Sequence, residues 1–265
     1  MGKKLSIITI NFNNRDGLQK TIDSVITQTW KEFEWIIIDG GSTDGSKELI
    51  EKYSSYITYW VSEPDKGIYN AMNKGIKVAK GEYCLFLNSG DLLFNCSIIA
   101  TVSQMQLFAD FIVFDIKLIY DNAFVDRNLI HLKEKHILQF LYQDAFPHQS
   151  TLIKKSVLIK YGLYDETYKY VSDWYLTVKA CVFGNASFEY MQGITLSYYD
   201  TTGISSIYVD EVIEERIQII KKEFPDPIVD CIKSAIEWDI IDNSIKKSRL
   251  IKYLFHILLR ISVKI

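Results

Sequence analysis

Residues 5–46 read LSIITINFNNRDGLQKTIDSVITQTWKEFEWIIIDGGSTDGS, and the order of patterns within them decides the fold. Residues 5–13 and 34–42 are nearly continuous apolar, β-branched runs that end in Asn, Asp, Gly and Ser. Runs of that kind are strands covered on both faces. Between them, Leu18, Ile22, Val25 and Ile26 fall on one face of a helix over residues 17–29. A strand, an amphipathic helix and a second strand make a right-handed crossover, which brings both strand ends to one edge of a parallel sheet.

The alternation continues. DGSKELIEKYS (44–54) reads as a helix with Ser42, Thr43 and Asp44 as capping candidates, ITYWVSE (57–63) as a strand, GIYNAMNKGIKVAKG (67–81) as a helix closed by Gly81, and YCLFLNS (83–89) as a strand. The strand ends NFN, DGGS, SEPD and NSGD therefore share one edge, which collects Asn11, Asp39, Asp44, Asp65 and Asp91. Carboxylates converging in that way repel one another unless a cation or many donors meet them.

Beyond Asp91 the pattern is mixed. A helix at 97–108, a hairpin from DFIVFDIKLIY and FVDRNLIHL, a short helix in KEKHILQFLYQ, a strand then a helix in HQSTLIKKSVLIKYGLY, and a helix in VSDWYLTVKACVFG follow in turn. NASFEY and ITLSYYD are expected as two further strands, and helices over 207–223 and 226–243. The fold class is α/β with a mostly parallel sheet flanked by helices and a C-terminal helical extension.

Composition excludes several classes. With 48% apolar and 24% charged residues the 265-residue chain has ample material for a core, and disorder is not expected over most of it. Cys84, Cys96, Cys181 and Cys231 form no CxxC pair, so neither a thiolate metal site nor a disulfide framework is indicated. Lys246, Lys247, Arg249, Lys252, Arg260 and Lys264 stand in 245–265 without an acid; removing those six charges from a net −3 leaves −9 for residues 1–244. So acidic a body does not suit a nucleic acid. MGKKLSIITINFN runs directly into a strand with no signal-type apolar stretch, which points to the cytoplasm. In the tail, the longest run free of Lys and Arg is the seven residues YLFHILL, too short to span a bilayer. The tail fits a basic amphipathic segment drawn to an anionic inner leaflet, or a helix packed on the domain with its basic face in water.

SIITINFNNRDGLQKTIDSVITQT, WIIIDGGSTDGS, SEPDKGIYNAMNKGIKVAKGEYCLFLNSGDLL, HQSTLIKKSVLIKYGLYDETYKYVSDWYLTVKA and YYDTTGIS together resemble a family 2 inverting glycosyltransferase of the GT-A fold, the type that builds bacterial surface polysaccharides. The resemblance covers residues 4–206 and rests on the order and spacing of several motifs. It implies a GT-A domain over 1–206, with a nucleotide-binding half (1–95) and an acceptor-binding half (96–206), followed by C-terminal helices and the basic tail (207–265).

The implied activity is transfer of a hexose or N-acetylhexosamine from a UDP-sugar to a saccharide acceptor, lipid-linked in this setting, with a homodimer compatible with it. The resemblance places Thr9 and Asn11 beside the base and gives Asp39 the imide N–H of uracil; otherwise Asp39 is a turn cap. Asp44 either caps a helix or touches the nucleotide. Asp65 faces the nucleoside, with Lys66 and Asn73 at phosphate or ribose, though Lys66 equally suits a solvated surface. NSGD fills the slot of the family's DxD metal motif with Ser89 in place of its first acid, so Asp91 alone would hold Mn²⁺ or Mg²⁺ and Ser89 would bond ribose or water. Such a metal would arrive with its nucleotide.

Asp173 matches the family's catalytic base, against the reading of a helix N-cap, and Trp174 would line the acceptor side or pack in the core. His148 lies near the acceptor or diphosphate as a hydrogen-bonding residue, and Gly203 and Ser205 belong to a loop that closes over the diphosphate. A sugar-phosphate nucleotidyltransferase fits less well, because the first loop, NFNNRDG, has one Arg and one Gly. A non-catalytic nucleotide-sugar-binding subunit is the other alternative, prompted by Ser89 and opposed by Asp39, Asp91 and Asp173.

Overall fold

A computed structural model describes residues 5–120, 123–127, 129, 132, 136–203 and 207–234. Ser205 and the basic tail lie outside them. The expected crossovers form in order: β1 (Leu5–Asn11), α1 (Arg15–Ile26), β2 (Glu34–Asp39), α2 (Ser46–Lys52), β3 (Tyr59–Ser62), α3 (Ile68–Val78) and β4 (Tyr83–Phe86). β1 pairs in parallel with β2 and β4, and β2 with β3. Every residue of β1, β2 and β4 is buried, as strands covered on both sides must be. Ile7, Ile8, Ile36, Ile37 and Ile38 are at most 1% exposed, each contributing about 1.5–3 kcal/mol of burial. α3 comes close to the sheet at Gly75, where a Cβ would lie 2.5 Å from Ile8 Cγ2.

The second half adds β5 (Leu92–Leu93), α4 (Ile98–Ser103), β6 (Phe111–Tyr120), β7 (Ala123–Arg127), α5 (Ile137–Gln143), β8 (Thr151–Lys154), α6 (Lys155–Lys160), α7 (Ser172–Cys181), β9 (Phe188–Asp200) and α8 (Val209–Glu223). Among the described residues the sheet runs β3-β2-β1-β4-β8-β6-β9-β5, with β7 paired to β6. β8 is antiparallel to both β4 and β6, so the parallel half and the mixed half share one sheet.

One expectation is overturned, and one strand was not expected. NASFEY and ITLSYYD are not separate strands but one strand, β9, whose register against β6 jumps from Phe114↔Met191 to Asp115↔Thr195. Asp115 holds the bulge by accepting the Gly193 N–H (2.7 Å) and the Tyr190 hydroxyl, with Gly193 at φ +83°. Nor was β5 foreseen: two residues carry no periodicity, and Leu92↔Tyr198 and Leu93↔Ser197 are pairings between distant segments.

The helix at 226 is described to residue 234. The chain divides into compact units at 1–216 and 217–265, a boundary inside α8.

Candidate active site

A cavity of about 730 Å³ opens over the carboxyl ends of β1, β2 and β4 and is walled by segments of the second half. Its lining includes Asp65, Ser89, Asp91, His148, Asp173 and Gly203 of the expected residues. Phe12, Tyr69, Asn88, Lys169, Tyr170, Asp200 and Thr202 also line it, and the sequence reading did not single them out. Asn88, Asp200 and Thr202 fall within the NSGD and YYDTTGIS motifs, and Phe12, 63% exposed, is a bulky aromatic at a strand end.

One corner is built on Gly40. A Cβ there would stand 2.5 Å from Asp65 Oδ2 and 3.1 Å from Phe12 Cδ2, so the carboxylate and the ring cover a bare backbone. Asp65 Oδ1 accepts the Gly67 N–H at 3.0 Å, which fixes the side chain over that corner.

Beneath it the register aligns Asn11 with Asp39 and Asp39 with Ser62 across three strands. Asp39 is fully buried and saturated: Oδ1 accepts from Asn11 Nδ2 (2.7 Å) and Ser42 Oγ (2.5 Å), and Oδ2 from Ser42 N (3.0 Å) and Ser62 Oγ (2.6 Å). Burial raises its pKa, but the Ser42, Ser62 and Asn11 donors outweigh that and hold the carboxyl below its ordinary range. Asp39 is thus off the cavity wall, and a base N–H would reach it only by displacing one of these donors.

Other expected residues also lie off the wall. Thr9 Oγ1 accepts from Trp35 Nε1 (3.1 Å) in the core. Asn11 is 1% exposed, with Oδ1 unpartnered among the described residues. Asp44 caps: its oxygens accept from Arg15 N (2.8 Å) and Ser46 N (3.1 Å), at the starts of α1 and α2. Lys66 is exposed. Asn73 is committed to the 164–166 segment through Tyr164 O (2.8 Å), Tyr164 N (3.0 Å) and Glu166 Oε1 (2.9 Å). Trp174 packs in the core, 3% exposed, donating to Leu141 O at 2.7 Å.

At the metal slot, Gly90 turns at φ +105°, and its Cβ position is 2.8 Å from Asp200 Oδ2. Pairing of β5 with the end of β9 sets Asp91 beside Asp200, whose N–H donates to Asp91 Oδ1 at 3.0 Å. Asp91 is 3% exposed, and no described residue donates to its Oδ2. Burial pushes its carboxyl up to about 7, against the lowering effect of His148 and of backbone groups of Asp200 and Asn88. Ser89 Oγ accepts from Asn14 Nδ2 at 3.4 Å. No three His, Cys, Asp or Glu groups converge as a ready metal cage among the described residues. An orphan carboxylate oxygen with Asp200 close by suits a hard divalent cation that draws its other ligands from phosphate and water.

Opposite, Asp173 is the second residue of α7, inside the helix, and its cap position is Val171. Oδ1 accepts from Tyr69 OH (2.9 Å) and Trp174 N (2.9 Å), and Oδ2 pairs with His148 Nδ1 (2.9 Å). His148 Nε2 meets Asn88 Nδ2 at 3.3 Å. An ionised Asp173 only accepts and the Asn88 amide nitrogen only donates, so the ring carries its proton on Nδ1. Burial raises the Asp173 pKa, yet the His148 bond, with Trp174 N and Tyr69, holds it below the usual range. Among the described residues, one acceptor position on Oδ2 stays open. The same carboxylate, after burial, raises the Tyr69 phenol well above its ordinary value and keeps it a donor.

Comparisons with known proteins agree with this layout. An uncharacterized glycosyltransferase of Mycobacterium tuberculosis is 31% identical over 217 residues, 76% of this chain and 77% of that one. A PGL/p-HBAD biosynthesis glycosyltransferase of Mycobacterium bovis is 26% identical over 226 residues, covering 80% and 83%. Among solved structures, S. aureus TarS 1–349 in complex with UDP-GlcNAc superposes with a TM-score of 0.65 at 18% identity over 86% of this chain and 70% of that one. The chain spans only 42% of the longer TarS structure. Mannosyltransferase PcManGT from Pyrobaculum calidifontis, in complex with GDP-Man and Mn²⁺, gives 0.66 at 12% identity over 98% and 80%. These likenesses establish the GT-A fold. With the glycosyl transferase family 2 model matching residues 6–162, the parallel half and the NSGD turn included, the chain belongs to that family and is a glycosyltransferase.

Proposed function

We propose that the enzyme transfers a hexose or N-acetylhexosamine from a UDP-sugar to a saccharide hydroxyl with inversion. The observation that carries this reading is Asp173: an ionised carboxylate with one open acceptor position, in the same cavity as the orphan oxygen of Asp91. Asp173 Oδ2 takes the proton of the attacking hydroxyl, while His148 and Tyr69 keep the carboxylate oriented. Phe12 offers the base a flat face, and Asp65 over Gly40 receives donors of the nucleoside. Asp91, with Asp200 beside it, would hold Mn²⁺ or Mg²⁺, which when bound offsets the charge growing on the leaving diphosphate. Thr202 and Gly203 border the diphosphate region.

UDP and UDP-GlcNAc in the TarS structures support the choice of nucleotide. A GDP-sugar is the second reading, favoured by the filled acceptors of Asp39 and by GDP-Man in PcManGT. The acceptor is read as lipid-linked, at the inner face of the cytoplasmic membrane, with the six cations of 245–265 drawn to anionic lipid. Among the described residues no helix is long and apolar enough to cross a membrane.

A thermal-shift panel of UDP, GDP, CDP and dTDP, each with and without Mn²⁺, tests the proposal. Stabilisation by UDP that requires Mn²⁺ is expected; stabilisation by GDP alone moves the reading to a GDP-sugar, and indifference to all four overturns both.

A further inference from the structure

Helix α8 grips the start of α7 with two adjacent side chains. Glu215 Oε1 accepts the Lys169 N–H at 2.8 Å, and Oε2 accepts those of Tyr170 (2.8 Å) and Val171 (3.0 Å). Three successive amides on one carboxylate form an anion-binding nest. The next residue, Ser172, opens α7, whose cap residue Val171 makes no side-chain capping bond. Glu215 therefore places, from a distant element, a negative charge just ahead of the α7 N-terminus, on the three amides that precede the helix.

Arg216 lies 5.1 Å over the ring of Trp174, on the other side of Asp173 in sequence. Both flanks of Asp173 are thus held by one helix. From Val209 to Arg216, α8 has no buried residue, and Glu215 and Arg216 are two of its three partly buried ones. Over this stretch Glu215 and Arg216 supply the contacts described above, while Ile219, fully buried, follows one turn later. Lys169 and Tyr170, whose amides Glu215 holds, line the cavity together with Asp173. The family-model match ends at residue 162, before either partner.

We propose that Glu215 is a positioning residue: by fixing the 169–171 turn it sets the rotation of Asp173, so that Oδ2 keeps both its His148 contact and its open face on the cavity. The proposal deepens the reading of Asp173 as the base and rests on it.

The full chain is tested as Glu215→Ala, with Asp173→Asn as reference. Two quantities are read: UDP release from UDP-GlcNAc with Mn²⁺, and the His148 ring ¹⁵N–¹H signals. Expected are a fall in kcat of at least tenfold with donor KM within twofold, and His148 signals displaced toward their positions in Asp173→Asn. His148 signals at wild-type positions overturn the proposal whatever the turnover, as does an unchanged kcat with displaced signals. Full turnover in Asp173→Asn would instead sink the base assignment, leaving the His148 signals to judge the tether. Should Glu215→Ala fail to fold, Glu215→Gln keeps the shape, replaces one acceptor oxygen with a donor, and must show the same displacement.

Discussion

Asp91→Asn should make the metal-free protein more stable at neutral pH while disabling its site. The Asp91 carboxyl is 3% exposed, and burial moves its pKa from 3.8 to about 7. At about 1.4 kcal/mol per pH unit, that gap places the penalty for the ionised form near 4 kcal/mol. The native state keeps a proton that the unfolded state has released across this window. Stability on account of Asp91 is therefore full below 3.8, falls as pH rises, and is lost above about 7. Asparagine removes the charge and the penalty together.

Urea unfolding followed by tryptophan fluorescence, in EDTA, measures the difference between Asp91→Asn and wild type. It should be no more than about 1 kcal/mol at pH 4.5 and grow to between about 2 and 4 kcal/mol at pH 8. A difference independent of pH, or a variant less stable at pH 8, would refute the reasoning. Adding UDP with Mn²⁺ at pH 8 should then stabilise wild type and leave Asp91→Asn unmoved, since the amide offers no charged oxygen to the cation proposed at this position.

Asp173→Asn should bind UDP with a Kd within threefold of wild type by calorimetry and lose at least a hundredfold in transfer, in line with removal of a general base; equal loss of both would make the residue structural. Gly40→Ala places a methyl 2.5 Å from Asp65 Oδ2 and must push the carboxylate or Phe12 aside. Its nucleotide affinity should fall at least tenfold, with a stability cost of about 1–3 kcal/mol from overpacking; wild-type affinity would show that this corner does not meet the nucleoside.

Local physics made the first half of the molecule legible. Apolar β-branched runs alternating with amphipathic helices leave a parallel sheet as the way to bury both faces of each strand, and handedness then places NFN, DGGS, SEPD and NSGD on one edge. Asp65, Asp91 and Asp173 could be read as site residues because each belongs to a motif. The motif does not say where a side chain's hydrogen bonds go. Asn73 and Trp174 look like ligand contacts in one dimension, yet the first is spent on the 164–166 segment and the second on the core.

By itself the sequence determined the alternation of strands and helices over residues 5–89, the shared edge of their strand ends, the family, and the Ser that stands in place of an acid at position 89. Only the tertiary structure decided that a two-residue strand carries Asp91 to Asp200, that His148 and Tyr69, 25 and 104 residues away in sequence, meet on Asp173, and that Glu215 holds the turn ahead of its helix. Periodicity records which face a residue buries, whereas hydrogen bonds between distant segments depend on register and bulges that no local pattern encodes.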